Sequence, residues 1–329
     1  MNKKHRVFSG SRPTSKLHLG NYLGAIKGYL DLQEKEGFDC IYSIVDLHAI
    51  TTPFDPKKLQ KQINDVVLDY LGGGLDPEEA HLMIQSQVPE HVELSYLLST
   101  LYPVSRLQQL PTYKDKTKEN PDYVNMGLLY YPVLMAADIM IYKADTVPVG
   151  KDQLPHIEVT REFARTFNRM FGETFPEPKA YLKEGASIPS LRGEGKMSKS
   201  VEGSYILLTD SLENIKEKLA GVPTDAGKGD KVPSEGGVAN LFSFVELFEG
   251  KESRKEYERQ YLKEGIKYKE LKDTLAEAIF KELEPIQEKR KFYEERPGLV
   301  RDILGEGREY CAKIAKNTLE EVKEKMGLF

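Results

Sequence analysis

Among 329 residues there are only two cysteines, Cys40 and Cys311. Both fall in apolar, periodic segments, so neither a disulfide framework nor a cysteine-rich metal site is supported, and the composition suits a reducing cytoplasm. Long apolar runs are missing as well. Met1 to His5 lead into a short strand-like Val7-Phe8, so neither a secretory leader nor a membrane span is expected. Nor is there an excess of positive charge: 47 Lys and Arg against 52 Asp and Glu leave a formal net charge of -5. That balance argues against a wholesale nucleic-acid coat, and any RNA must meet a local basic patch. With 40% hydrophobic and 30% charged residues, the chain is long enough for one large domain and a smaller one with its own core.

Residues 5 to about 175 alternate short apolar runs with amphipathic helical patterns, as a parallel sheet with helical crossovers requires. Arg6 to Ser9 reads as a strand ahead of a helix bearing Leu19, Leu23, Ile26 and Leu30. Cys40 to Val45 precedes a helix bearing Leu59, Ile63, Val66 and Tyr70, which Gly72-Gly73-Gly74 stops. A third strand, Leu82 to Ile84, leads into a helix through Leu94 and Leu98. Val147 to Gly150 then turns at Asp152 into a helix carrying Phe163, Phe167 and Met170. The expected fold is α/β, with a doubly wound, parallel-sheet (Rossmann-like) nucleotide-binding domain over 1–208. An insertion at about 104–145 carries an apolar helix from about Tyr131 to Tyr142, suited to a core or to a subunit interface. From Asp210 the strand signals stop, and a smaller all-helical C-terminal domain is expected over 209–329, opening on an Asp210-x-x-Glu213 capping box. Its last helix sets Ala312, Ala315, Leu319, Val322 and Met326 in one stripe that needs a partner surface, for which the first domain is a candidate. Thr224 to Gly237, rich in Gly, Lys and Asp, reads as a mobile loop.

Motif residues gather at the carboxyl ends of these strands, where open parallel sheets bind ligands. Gly10 to Asn21 follows the first strand, Asp46 to His48 the second, and Gly150-Lys151-Asp152 a later one. Leu17-His18-Leu19-Gly20-Asn21 offers a close backbone approach and a helix start that attracts anions, although Gly20 equally serves tight helix packing. Lys196-Met197-Ser198-Lys199-Ser200 supplies two ammonium groups able to chelate a triphosphate; alone, it is also a solvated loop made pliant by Gly193 and Gly195. Paired, the two runs describe a site that splits ATP between its α and β phosphates. In these residues the chain resembles the class I aminoacyl-tRNA synthetases. The Met135-Ala136-Ala137-Asp138 run and the Val147-to-Gln153 segment narrow the likeness to the tryptophanyl-tRNA synthetases of the bacterial type.

The resemblance implies that Arg12, Pro13, Thr14, Gly20 and Asn21 line the adenosine and phosphates of ATP. It places Gly150 and Asp152 at the ribose, Ile188 at the adenine, and Lys196 and Lys199 on the pyrophosphate, with Lys151, Met197, Ser198 and Ser200 also among the nucleotide-binding residues. Lys116, with Lys114 beside it, either reaches the same phosphates or belongs to a solvated charge run. Asn21 stands where the general signature has a second histidine, a replacement tryptophanyl enzymes share. Arg12 stands where relatives can carry glutamine, and a fixed cation there suits phosphate and carboxylate alike. Lys196, Lys199, Asn21 and Lys116 form the expected catalytic set.

Asp138 is the lone carboxylate of an apolar helix and needs a donor if buried. A structural hydrogen bond is the ordinary answer. The resemblance implies instead that it accepts the indole N–H of L-tryptophan, with Met135 one turn earlier against the ring. A phenol O–H would serve as well, so this chemistry alone leaves a tyrosyl enzyme open. Phe8 and Val149 are implied as pocket walls, Tyr131 and Gln153 as partners of the substrate ammonium, and His48 as a further wall or a satisfied structural residue.

In the implied mechanism the tryptophan carboxylate attacks the α-phosphorus without a general base, with Mg²⁺ carried by the phosphates. Transfer to tRNA(Trp) follows, with Lys216, Lys218, Lys228 and Lys231 as candidate backbone contacts, and family members work as homodimers. An iron-sulfur cluster, which some relatives hold through cysteines, lacks ligands here. Rival readings are a tRNA-binding relative that has lost charging, a small-molecule nucleotidyltransferase, and an auxiliary inhibitor-resistant copy, for which Arg12 is the residue to inspect.

Overall fold

The computed structural model describes residues 5–13, 16–182, 188–198 and 201–328. Within them, five parallel strands, β1 (His5–Ser11), β2 (Phe38–Ile44), β3 (Ala80–Ile84), β4 (Thr146–Pro148) and β5 (Lys179–Tyr181), stand in the order β3-β2-β1-β4-β5. Central β1 pairs with β2 from His5 opposite Phe38 to Ser11 opposite Ile44, and with β4 through Val7 and Thr146. The order reverses between β1 and β4, so a ligand crevice opens beyond their carboxyl ends.

Helices fill the crossovers: α1 (Leu19–Asn21) runs through a π-helical turn (Tyr22–Ile26) into α2 (Lys27–Leu30), followed by α3 (Asp46–Ala49) and α4 (Pro56–Gly72). Next come α5 (Glu90–Ser99), α6 (Val104–Gln109), α7 (Pro111–Glu119), α8 (Met126–Met140) and α9 (Leu154–Phe171). After β5 the described regular structure is helical: α10 (Leu212–Ala220), α11 (Gly236–Phe248), α12 (Lys251–Lys263), α13 (Tyr268–Glu294) and α14 (Pro297–Lys325). None of the described helices is long and apolar enough to cross a membrane.

Alternation along the strands makes two cores, because successive side chains leave a strand on opposite faces. Val7, Cys40, Tyr42, Ile44 and Leu82 pack on one side, in a cluster that continues through α4 into α10, α11 and α13. Phe8, Ile41, Met83 and Val147 face the other, against α5, α8 and α9. The stripe on α14 joins this second core through Ala315, Leu319 and Val322, together with Cys311, while Ile303 of the same helix reaches the first. Thus α14 crosses edge strand β3, and Gly307 lets it come close: a Cβ there would lie 2.1 Å from the Leu82 carbonyl oxygen. Covering an edge strand this way removes a site of unwanted pairing.

Three local expectations are corrected. Helix α8 begins at Met126, not near Tyr131, because Asn125 Oδ1 caps it by accepting the Leu128 N–H at 3.0 Å, and Pro132 is carried inside the helix. The cap of α10 is Ser211, whose Oγ accepts the Asn214 N–H at 3.3 Å; Asp210 is already engaged by the Leu207 N–H and by Lys218. The segment after Thr224 is tethered, since Asp225 accepts the hydroxyls of Tyr261 and Tyr268, each at 2.6 Å, and the Gly227 N–H at 2.8 Å.

Candidate active site

A cavity of about 740 Å³ opens at the switch point between β1 and β4. The end of β1 supplies Ser9 to Arg12, the following turn Leu17, His18 and Asn21, and the segment after β4 Val149, Gly150 and Gln153. Helix α8 presents Leu128, Tyr131, Met135 and Asp138 along one face, α7 adds Thr112 and Lys116, and Met197 and Ser198 close the rim. A mixed apolar and polar cleft of this size suits a small-molecule ligand.

Residues 17–21, beyond β1, are held by their own hydrogen bonds. His18 N–H donates to Asn21 Oδ1 at 3.3 Å, and Asn21 N–H returns to His18 Nδ1 at 3.2 Å, a reciprocal cap that gives Asn21 a structural task in this turn. Leu19 N–H donates to the Ile206 carbonyl at 2.8 Å and Leu208 N–H to the Leu17 carbonyl at 3.0 Å, so residues 17–19 are strapped to 206–208. Gly20 faces Met197: a Cβ there would stand 2.9 Å from the Met197 Cβ and from two atoms of the His18 ring. The missing side chain is what allows the two distant motifs to touch. Around Met197 the chain is a small hairpin, with Met197 N–H donating to the Ile188 carbonyl and Ser190 N–H to the Gly195 carbonyl, both at 3.0 Å. Ser204 Oγ donates to the Ser198 carbonyl at 2.6 Å and fixes its end.

At the other end of the cavity Asp138 is only 2% exposed. Its Oδ1 accepts from Gln85 Nε2 at 2.7 Å and from His91 Nδ1 at 2.6 Å, while His48 Nε2 donates to Oδ2 at 2.8 Å. Behind it, His91 Nε2 pairs with the Tyr142 hydroxyl at 2.6 Å. Burial drives this carboxyl group up, but the hydrogen bonds and charge of His48 and His91 outweigh it and hold Asp138 below the usual carboxylate range. It is therefore an anion at neutral pH. Oδ1 has both its lone pairs engaged, and Oδ2, with one donor, retains room for a ligand N–H or O–H. Tyr131 lies nearby, its hydroxyl 3.2 Å from His156 Nε2 and its ring edge-on to His48. Burial raises its phenol, opposed by the Thr112 hydroxyl and by the charge of Arg12.

Of the residues singled out in the sequence, Phe8, Arg12, Asn21, His48, Lys116, Tyr131, Met135, Asp138, Val149, Gly150, Gln153, Met197 and Ser198 line this one cavity. Pro13, Gly20, Lys151, Ile188 and Lys196 stand outside its wall: Ile188 is buried in the first core, and Lys196 is exposed. Thr14, Lys199 and Ser200 lie outside the described residues, as does the side chain of Asp152. Lys116 donates to Glu119 at 2.6 Å while bordering the cavity. Gln85 and His91, the two donors behind Asp138, escape a reading of motifs. Gln85 follows β3 directly, so the rule that searches strand carboxyl ends reaches it; His91 carries no such sign.

The family model for class I tRNA synthetases of the tryptophan and tyrosine group matches residues 1–284. The tryptophan–tRNA ligase of Deinococcus radiodurans is 42% identical over 326 residues, which span 98% of this chain and 98% of that one. That of Clostridium acetobutylicum is 42% identical over 330 residues, spanning 98% and 97%. Among solved structures, tryptophanyl-tRNA synthetase from Campylobacter jejuni complexed with ADP and tryptophan aligns with a TM-score of 0.87 at 33% identity, covering 98% of this chain and 99% of that one.

Proposed function

Since the chain belongs to the tryptophan–tRNA ligases, within the class I tRNA synthetases for tryptophan and tyrosine, we propose that its cavity activates L-tryptophan with ATP and that the protein charges tRNA(Trp). The observation that carries this is the contact of Gly20 with Met197 at one end of a cavity whose other end holds an ionised, buried Asp138. Oδ2 of Asp138 accepts the indole N–H, Met135 and Phe8 flank the ring, and Tyr131 and Gln153 face the ammonium.

The substrate carboxylate, an anion at neutral pH, forms a new P–O bond at the α-phosphorus as the α–β bridging bond breaks. Tryptophanyl-adenylate and pyrophosphate result, and no proton is moved. Positioning and charge do the rest: the His18-to-Asn21 helix start meets the phosphates, and Lys196, Lys199 and Lys116 converge on the leaving group with the Mg²⁺ that ATP brings as part of the substrate. In the second step a hydroxyl of the terminal tRNA ribose forms the ester bond at the acyl carbon, the acyl–phosphate C–O bond breaks, and AMP departs with the hydroxyl proton taken up by its phosphate.

Residues 1–208 form the catalytic part in this reading and 209–329 the tRNA-binding part, with α14 returning to the sheet. Of the four lysines considered for RNA backbone contact, Lys216 and Lys218 are held by Glu277 and Asp210, so exposed Lys228 and Lys231 carry that role. The protein works as a cytoplasmic homodimer.

Exchange of labelled pyrophosphate into ATP, run with each of the twenty amino acids, tests the assignment. Tryptophan alone should support exchange; tyrosine supporting it in its place means a tyrosyl enzyme. Lys199→Ala should lower the exchange rate at least tenfold while leaving tryptophan binding nearly unchanged, and an undiminished rate removes Lys199 from the mechanism.

A further inference from the structure

Ser11 and Leu17 stand on either side of Arg12 at the cavity mouth, and adjacent residues of α4 hold both. Ser11 Oγ shares a hydrogen bond with the Tyr70 hydroxyl at 2.6 Å, and Asp69 Oδ2 accepts the Leu17 N–H at 2.7 Å. Asp69 is 1% exposed, so its charge needs a cation. That cation comes from the helical part of the chain: Arg290 of α13, itself buried, gives Nε to Asp69 Oδ1 at 2.8 Å and a terminal nitrogen to Asp65 at 2.8 Å. Room for the approach is left by Gly72, where a Cβ would lie 2.8 Å from the Arg290 Cβ. Nearly one turn earlier on α13, Gln287 Nε2 donates to the carbonyls of Leu208 and Asp210 at 2.8 and 2.9 Å. Leu208 belongs to the strap that pairs with 17–19, and Asp210 closes that strap by accepting the Leu207 N–H at 2.8 Å.

We infer that Arg290 and Gln287 are positioning residues for the nucleotide turn, fixing residues 17–19 from α13, the first through Asp69 and the second through the 206–210 strap. Arginine–carboxylate pairs are frequently bidentate, one guanidinium fork meeting both oxygens of one carboxylate. Here the guanidinium is divided among Asp65 and Asp69 of α4 and, at 3.3 Å, Glu294 of its own helix, and the second oxygen of Asp69 is spent on the Leu17 N–H. The inference rests on the proposed ATP site. Its consequence is that the geometry of the phosphate-binding turn depends on a helix distant in sequence that lines no part of the cavity.

The test compares Arg290→Lys, Asp69→Asn and Gln287→Leu in the full chain, with Leu319→Ala on α14 as a control for lost stability alone. ATP affinity is read by calorimetry, the KM values for ATP and tryptophan by pyrophosphate exchange, and Tm by thermal unfolding. The three variants should weaken ATP binding and kcat/KM for ATP by roughly tenfold, with KM for tryptophan within about twofold, while Leu319→Ala lowers Tm and leaves ATP binding alone. If Arg290→Lys fails to fold, the isosteric Asp69→Asn carries the same expectation. A fall in Tm with ATP affinity unchanged in all three overturns the inference. Wild-type protein that binds ATP without exchanging pyrophosphate strikes the proposed reaction instead, and the calorimetric comparison still decides the positioning.

Discussion

A carboxylate oxygen accepts two hydrogen bonds, and the protein fills both acceptor positions on Oδ1 of Asp138 but only one on Oδ2. The protein's own donors therefore do two things at once: they keep the group charged in a dry site, and they leave one lone pair toward the cavity. Asp138→Asn keeps the volume but replaces one oxygen with a donor, which then faces Gln85 and His91 or His48. Its KM for tryptophan should rise at least tenfold, about 1.4 kcal/mol or more, with KM for ATP little changed. The folded-state pKa of Asp138 lies below its unfolded value, so its contribution to stability is complete above about pH 4 and is lost as pH falls through the depressed value. Denaturant unfolding of the Asn variant should accordingly show a flatter decline below about pH 4 than the parent; equal slopes would mean that Asp138 is not held ionised.

Two glycines set how elements approach. At Gly20 the obstacles to a Cβ are the His18 ring and the Met197 Cβ, the latter an atom fixed to the backbone that no rotamer change moves. Gly20→Ala should push residues 196–198 off the turn, cutting kcat/KM for ATP by roughly tenfold in the exchange assay with little change in Tm. At Gly307 the obstacle is the Leu82 carbonyl, so Gly307→Ala must lift α14 from β3 and should cost about 1–3 kcal/mol, seen as a fall of several degrees in calorimetric Tm. An unaltered Tm would mean α14 is only loosely laid on the sheet. Elements themselves were largely legible, because period 2 and period 3.6 are local signals. The exceptions have local causes too. Pro132 imitates a helix start, which hid the Asn125 cap, and Asp210 and Ser211 are equally good caps until Leu207 and Lys218 claim the first.

At the scale of the whole molecule, legibility stops where packing joins distant segments. Strand carboxyl ends can be located in a sequence, and the cavity residues at or just beyond the ends of β1, β2 and β4 follow from that rule. The partnership of Asp69 with Arg290, 221 residues apart, depends on α13 lying on α4, and no motif announces it. The same holds for the outer surface. Helices α5 and α8 pack together, with the Tyr130 hydroxyl 3.1 Å from Ser95 Oγ, and next to that contact Val92, Tyr96 and Met126 are 49%, 67% and 70% exposed. Single exposed apolar residues are ordinary, but several on two packed helices make this face the candidate subunit contact for the proposed homodimer. A symmetric pairing requires the patch to meet its own copy, so one charge placed there appears twice across the interface and repels itself. Tyr96→Glu combined with Met126→Glu should therefore shift the light-scattering mass from about twice the 37.4 kDa chain to a single chain, with ATP binding retained. A parent protein already at the single-chain mass would sink the homodimer. A double variant that stays paired would place the subunit contact on another face.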